Sequence, residues 1–273
     1  MANFKLLTII FLVICLPMNT LSQEASNKSQ PQADLAKQSQ NPVAKLISVP
    51  IQNNINFNIG PFNRTQNQTL LQPVLPFSIT ENWNLISRTI IPFNYQPDVA
   101  SNNGGEYGLG DINTTVFLSP GKPGKLIWGL GPTLQFDTAT DKTLGTGKWA
   151  LGPSLVLLTM PGNWVVGTLI SNIWSFAGDS DREDVNLFSL QYFINYNFKK
   201  GWYLTSSPIN TANWEADSDN TWTIPIGGGG GRVFHLGNQP LNFSTQAFYN
   251  AEKPSGGPDW SLRFQLTFLF PKK

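Results

Sequence analysis

Few side chains in this sequence are equipped for chemistry. The one histidine, His235, stands in "VFHLG". A serine hydrolase would need a serine and an orienting carboxylate or amide within reach of it. No serine neighbours His235 in sequence, and no G-x-S-x-G turn occurs anywhere. His235 therefore reads as a wall or rim residue, and no enzymatic activity is expected. The run Gly227 to Gly231 invites a phosphate-loop reading, but Arg232, Val233 and Phe234 follow where Gly-Lys-Ser/Thr and a helix are required. These glycines suit a strand that bends sharply, or one pressed by a bulky neighbour: the N-terminal segment, Tyr203 or a ligand. The acidic stretches "GDSDRED" (178–184) and "EADSDN" (215–220) lack the spacing and terminal glutamate of a calcium loop. No His/Cys cluster could hold a transition metal. Neither metal nor cofactor is expected. That leaves Arg88 and Arg263, two charges in stretches that carry almost none. They could guide a solute, or pair with carboxylates such as Asp111 and merely fill space; the second use is the expected one.

The elements that hold these residues repeat with a period of two. In "WSLRFQLTFLF" (260–270) every even position is large and apolar, and only Leu269 breaks the polarity of the odd ones. Such alternation marks a strand with one apolar and one polar face. Trp164, Val166, Ile170, Trp174 and Phe176 share one phase, as do Phe188, Leu190, Tyr192, Ile194, Tyr196 and Phe198. About 12 such segments follow one another, each near the 9–11 residues that a tilted membrane strand needs. Only 13% of residues are charged, against roughly 25% in ordinary soluble domains. The net charge of +1 and the lack of a basic stripe give no reason to expect nucleic acid.

The connections alternate in length. The long ones are 60–68, 96–108, 137–148, 177–184, 211–221 and 250–258; the short ones are 80–82, 119–125, 160–163, 199–201 and 236–240. The long ones hold most of the acids, the short ones lysines. An up-and-down antiparallel barrel with one elaborated rim gives this alternation. Trp and Tyr gather at segment ends, as in the aromatic girdles of membrane barrels. The expected fold is thus an all-β transmembrane barrel of about 12 strands. Its apolar phase meets lipid and its polar phase encloses water. That phase points Asn54, Asn56, Arg88, Asp111, Asn113, Gln135, Gln191, Gln246, Arg263 and Gln265 into the lumen. The last strand should pair with the first.

Residues 1–22 read as a secretory signal peptide: Lys5, then an apolar run too short to span a bilayer, then small residues before Gln23. Residues 23–45 form a polar leader, flexible or weakly helical, and a candidate plug. Residues 46–273 form the barrel. Cys15 lies in the signal region, so the mature chain would hold no disulfide.

Several blocks are distinctive: "QNPVAKLISVPIQNN", "LPFSITENWNLISRTIIPF", "GLGDINTTVFLSP", "GWYLTSSPI", "IPIGGGGGRVF" and "DWSLRFQLTFLFPK". Over about residues 40–272 the chain resembles a bacterial outer-membrane family labelled for the meta-pathway of phenol degradation, whose members are often misnamed neuromedin U. The resemblance implies a Gram-negative outer-membrane barrel, with uptake of aromatic or other hydrophobic compounds as the usual suggestion. It brings no catalytic residues. The expectation is passive transport of a small-molecule solute, in contact with outer-membrane lipid and lipopolysaccharide. The alternative is a structural or adhesive barrel with a closed lumen and working acidic loops.

Overall fold

The computed structural model describes residues 25–271; the expected signal peptide lies outside the described residues. One helix, α1 (Ala25–Ser39), precedes twelve strands. They are β1 (Ile47–Ile59), β2 (Arg64–Leu71, resuming as Val74–Ser78), β3 (Trp83–Pro97), β4 (Gly105–Leu109, resuming as Asn113–Pro120), β5 (Leu126–Gln135) and β6 (Lys148–Thr159). Then come β7 (Trp164–Gly178), β8 (Asn186–Asn197), β9 (Trp202–Ser206, resuming as Ile209–Asn213), β10 (Trp222–Leu236), β11 (Gln239–Glu252) and β12 (Trp260–Phe270). Every strand pairs antiparallel with its sequence neighbours, and β12 returns to β1 from Ile47↔Phe270 to Phe57↔Trp260. The sheet is a closed barrel without an edge. Closure follows from the medium, because every backbone donor and acceptor within a bilayer must find its partner in the sheet.

Register fixes the faces. Arg88 opposes Thr115, Thr115 opposes Thr133, and Thr133 opposes Gly152. This row faces inward, and the alternate positions of β5 to β8 carry Leu130, Leu151, Trp174 and Ile194 outward, all exposed. So much apolar surface is untenable in water and ordinary against acyl chains. Aromatic pairs ring both ends. Phe57 stacks on Trp260 with centroids 4.0 Å apart, and Phe136 meets Trp149 at 5.4 Å, on the long-loop side. Trp83 meets Trp128 at 6.0 Å and Trp164 meets Tyr196 at 4.8 Å on the short-turn side. From Trp83 to Tyr95 along β3 the chain climbs ~40 Å, or ~30 Å once tilted by about 40°. That spans a hydrocarbon core.

One connection differs from expectation. The first long connection is only residues 60–63, because Arg64–Leu71 is already strand. Both faces of that stretch are polar, which hides it. Gln66 and Gln68 share the inward face with Asn54 and Asn56. On the outward face Asn53 donates from Nδ2 to Asn67 Oδ1 and to Thr69 Oγ1, each at 2.9 Å. Polar groups that satisfy one another are tolerated at a lipid-facing wall.

The leader is helical from Ala25 to Ser39, and it covers the short-turn mouth. Leu35 and Ala36 of α1 pack with Leu46, Tyr203, Val233 and Leu269. Leu269, the one apolar residue in the polar phase of β12, is fully buried there. Its exception is the docking point of the leader. Beyond the helix the chain turns into the barrel. Val43 sits among the inward-facing Ile86, Phe117, Ile127, Val156, Leu158, Val165 and Phe193. The short-turn end of the lumen is therefore filled by an apolar cluster with a leader residue in its middle.

Candidate functional site: a cationic lumen above a leader floor

Above that cluster lies a cavity of about 180 Å³. Its floor is leader chain, from Gln38 to Asn41 with Pro42, Ala44 and Leu46. Its walls carry Arg88, Gln191, Gln246, Arg263 and Gln265 of the ten residues assigned to the lumen, together with Gln52, Gln72, Ser207, Tyr203 and Asn242.

Two breaks in the strands build this wall, and a third serves the neighbouring loop. Gln72-Pro73 interrupts β2, Gly110-Asp111-Ile112 interrupts β4, and Ser207-Pro208 interrupts β9. Proline has no N–H for the ladder and so accumulates where a ladder can be broken. Each break frees a polar group for other work. Gln72 Oε1 accepts from Arg88 Nη2 at 2.7 Å. The Ser207 carbonyl accepts from Arg263 Nη1 at 2.9 Å and from Gln191 Nε2 at 3.5 Å. The Asp111 carboxylate accepts from Thr146 N at 2.7 Å, Thr146 Oγ1 at 2.9 Å, and the amides of Thr138 and Ala139.

The last contact overturns the expected pairing. Asp111 is committed to the 136–147 loop and pairs with neither arginine. A run of amides links the two arginines instead. Arg88 donates to Gln72, whose Nε2 donates to Gln52 Oε1 at 3.3 Å. Gln52 Nε2 donates to Asn54 Oδ1 at 3.0 Å, and Arg263 Nε donates to the same oxygen at 3.2 Å. The Arg263 guanidinium lies 4.8 Å over the Phe248 ring, a cation–π contact. Gln246 Oε1 accepts from Ser207 N at 3.1 Å and Ser207 Oγ at 3.0 Å, fixing the β9 break. Gln265 donates to Thr267 Oγ1 at 3.1 Å.

The other assigned residues stand nearer the long-loop rim. Asn56 donates to Gln66 Oε1 at 2.6 Å, and Gln135 to Thr146 Oγ1 at 2.9 Å. Asn113 opposes Gln135 across the β4–β5 pair. None of Asn54, Asn56, Asp111, Asn113 and Gln135 lines the cavity. Phase reasoning passed over Gln72 and Ser207, because a break resets the phase; the signal that could have found them is the proline that follows each.

The five glycines lie in β10. A side chain at Gly231 would strike the Tyr203 ring, and one at Gly227 or Gly229 would strike the carbonyls of Ala247 or Thr245. Tyr203 is the bulky neighbour. Its hydroxyl donates to Asn242 Oδ1 at 2.7 Å, and Asn242 Nδ2 donates to Ser39 Oγ of the leader at 3.2 Å. His235 is exposed at the short-turn end, 3.4 Å from Gln32 Nε2. Other polar contacts tie the leader to the rim: Lys37 Nζ donates to the Gly162 carbonyl at 2.5 Å, and Gln40 exchanges two bonds with Asn197, each 3.0 Å.

Several aspartates of the long loops are occupied with loop structure. Backbone N–H of Ala100 and the Ser101 hydroxyl hold Asp98 below its ordinary carboxylate pKa. Lys148 at 3.0 Å and the Ser175 hydroxyl do so for Asp184. Among the described residues no three His, Cys, Asp or Glu side chains are close enough to share a metal ion.

No family model and no curated protein sequence matches the chain. Solved structures do. The COG4313 outer membrane channel from Pseudomonas putida F1 superposes with a TM-score of 0.63 at 18% identity, over 82% of this chain and 94% of that one. The NanC porin superposes with a TM-score of 0.51 at 10% identity, over 83% of this chain and all of that one (100%). At these identities the likeness is one of architecture: this chain has the fold of an outer-membrane β-barrel.

Proposed function

We propose that the protein is a passive channel for small solutes in a bacterial outer membrane, closed on the short-turn side by its own N-terminal segment. The observation that carries this reading is the floor of the cavity. The wall strands form the lumen, but residues 38–46 shut it, and the leader reaches them as one chain that can leave without breaking a strand pair. Its hold is local: one apolar cluster around Leu35 and Ala36, another at Val43, and a few hydrogen bonds. The polar lining supports passage of a hydrated or partly polar solute, and the small volume supports a small one. The fold shared with two solved outer-membrane proteins, a channel and a porin by name, supports a site in that membrane. The blocks that resemble the meta-pathway family support an organic solute. Cleavage of residues 1–22 and export by that route belong to the same reading.

Single-channel recording on refolded protein, with and without residues 23–45, tests it. The shortened barrel is expected to conduct, and the full chain to be closed or to open in brief events. If both stay silent, the transport reading fails. The apolar cluster around Val43 favours one other reading, a structural barrel with a permanently closed lumen, and that result would support it.

A further inference from the structure

The cavity contains a charge that no carboxylate among the described residues neutralises. Of the described residues that line it, Arg88 and Arg263 alone are charged, with no Asp, Glu or Lys among them. Among the described residues, ion pairs form at Lys148–Asp184 and Lys253–Asp259, both at the long-loop rim. The acceptors that the arginines do have are neutral: Gln72 Oε1, Asn54 Oδ1 and the Ser207 carbonyl. A guanidinium carries five N–H donors. Arg88 donates one hydrogen bond to the described residues and Arg263 two, so each keeps donors in hand. The acceptors that orient them come from the strand breaks and from an amide chain. They fix the forks without removing their charge.

Two like charges inside one enclosure repel, and removing either from water costs free energy that neutral acceptors recover only in part. The walls also focus the field, raising the local concentration of anions. A guanidinium fork matches a carboxylate in plane and in spacing. Around the arginines stand Phe193, Leu169, Val74 and the ring of Phe248 beneath Arg263. We propose that Arg88 and Arg263 form an anion-binding site in the lumen, selective for a small carboxylate-bearing solute with a short apolar body. This rests on the channel reading for its purpose, but binding itself does not require passage.

The test uses the full chain refolded in detergent, with butyrate as probe and butyramide as its neutral isostere, read by ligand-observed saturation-transfer NMR. Butyrate is expected to bind and butyramide not. R88Q and R263Q should each weaken butyrate binding about tenfold or more, the usual worth of a charge-assisted hydrogen bond. R263K, which keeps the charge, should retain part of it. Equal binding of butyrate and butyramide to the unaltered protein would overturn the proposal, whatever the variants do. So would butyrate binding that survives in a folded R88Q/R263Q double variant. Inorganic phosphate binding more tightly than butyrate would overturn the carboxylate assignment. Butyrate binding in a barrel that never conducts would keep this site and discard the channel, so the two readings fail separately.

Discussion

Removing the two apolar anchors of the leader should release it while leaving the barrel intact. Leu35 is 8% exposed and packs in a cluster with Leu46, Tyr203, Val233 and Leu269; Val43 is 5% exposed and packs in a separate cluster. A buried Leu→Ala change costs about 2–5 kcal/mol. The low end, ~2.5 kcal/mol, suits a side chain at a docking surface that can collapse. Val43→Ala removes two methyl groups, ~1.6 kcal/mol at ~0.8 each. The two sites share no partner, so the effects should add to roughly 4 kcal/mol. That shifts docking by a factor of about 10³. Hydrogen exchange of the refolded protein in detergent reads it directly. In the L35A/V43A variant the amides of residues 35–46 should exchange about 10³-fold faster, while those of β5 to β7 hold their protection. Unchanged exchange in the leader would refute the argument that these contacts hold it. Equal acceleration in leader and strands would refute the claim that it is a detachable floor.

Three further outcomes are expected. Tyr203→Phe deletes a buried hydrogen bond to Asn242 and should lower stability by about 1–3 kcal/mol, read as a lower urea midpoint with the barrel still formed. Gly231→Val places a branched side chain in the Tyr203 ring and 2.7 Å from the Phe243 carbonyl; refolding yield, read by heat-modifiable migration on gels, should fall sharply, and the double variant G231V/Y203A should recover only part of it, because the carbonyl clash stays. Asp184 has a depressed pKa because Lys148 and Ser175 bond its ionised form. Its contribution is therefore fully present above its unfolded value of about 3.9 and is lost as pH falls through the lower folded value. Protease nicking within residues 179–185 should be slow at pH 5–7 and rise below about pH 4, and Asp184→Asn should nick at every pH.

Much of this was legible because a membrane barrel writes one rule into every strand. The alternation in β3, β5 to β8 and β12 gives the inward phase directly, and Arg88 and Arg263 fall in it. What escaped was set by contacts between distant segments. Leu269 breaks the alternation because the leader helix docks on it, and nothing local to β12 says so. Arg64–Leu71 hides as a loop because its outward Asn67 and Thr69 are satisfied by Asn53 across the pair rather than replaced by apolar residues. Asp111 lies in the inward phase, yet a strand break hands its carboxylate to the neighbouring loop. The arginines' freedom from carboxylates could be learned only once that bond was located.

The two faces of each strand meet two different media. Spin labels at Ser261, Leu262, Gln265 and Leu266 of β12, in protein reconstituted into bilayers, measure this most directly. Labels at 262 and 266 should collide freely with lipid-dissolved oxygen, and labels at 261 and 265 should not. Oxygen access that fails to alternate along these four positions, or alternates in the opposite phase, would contradict the barrel as described.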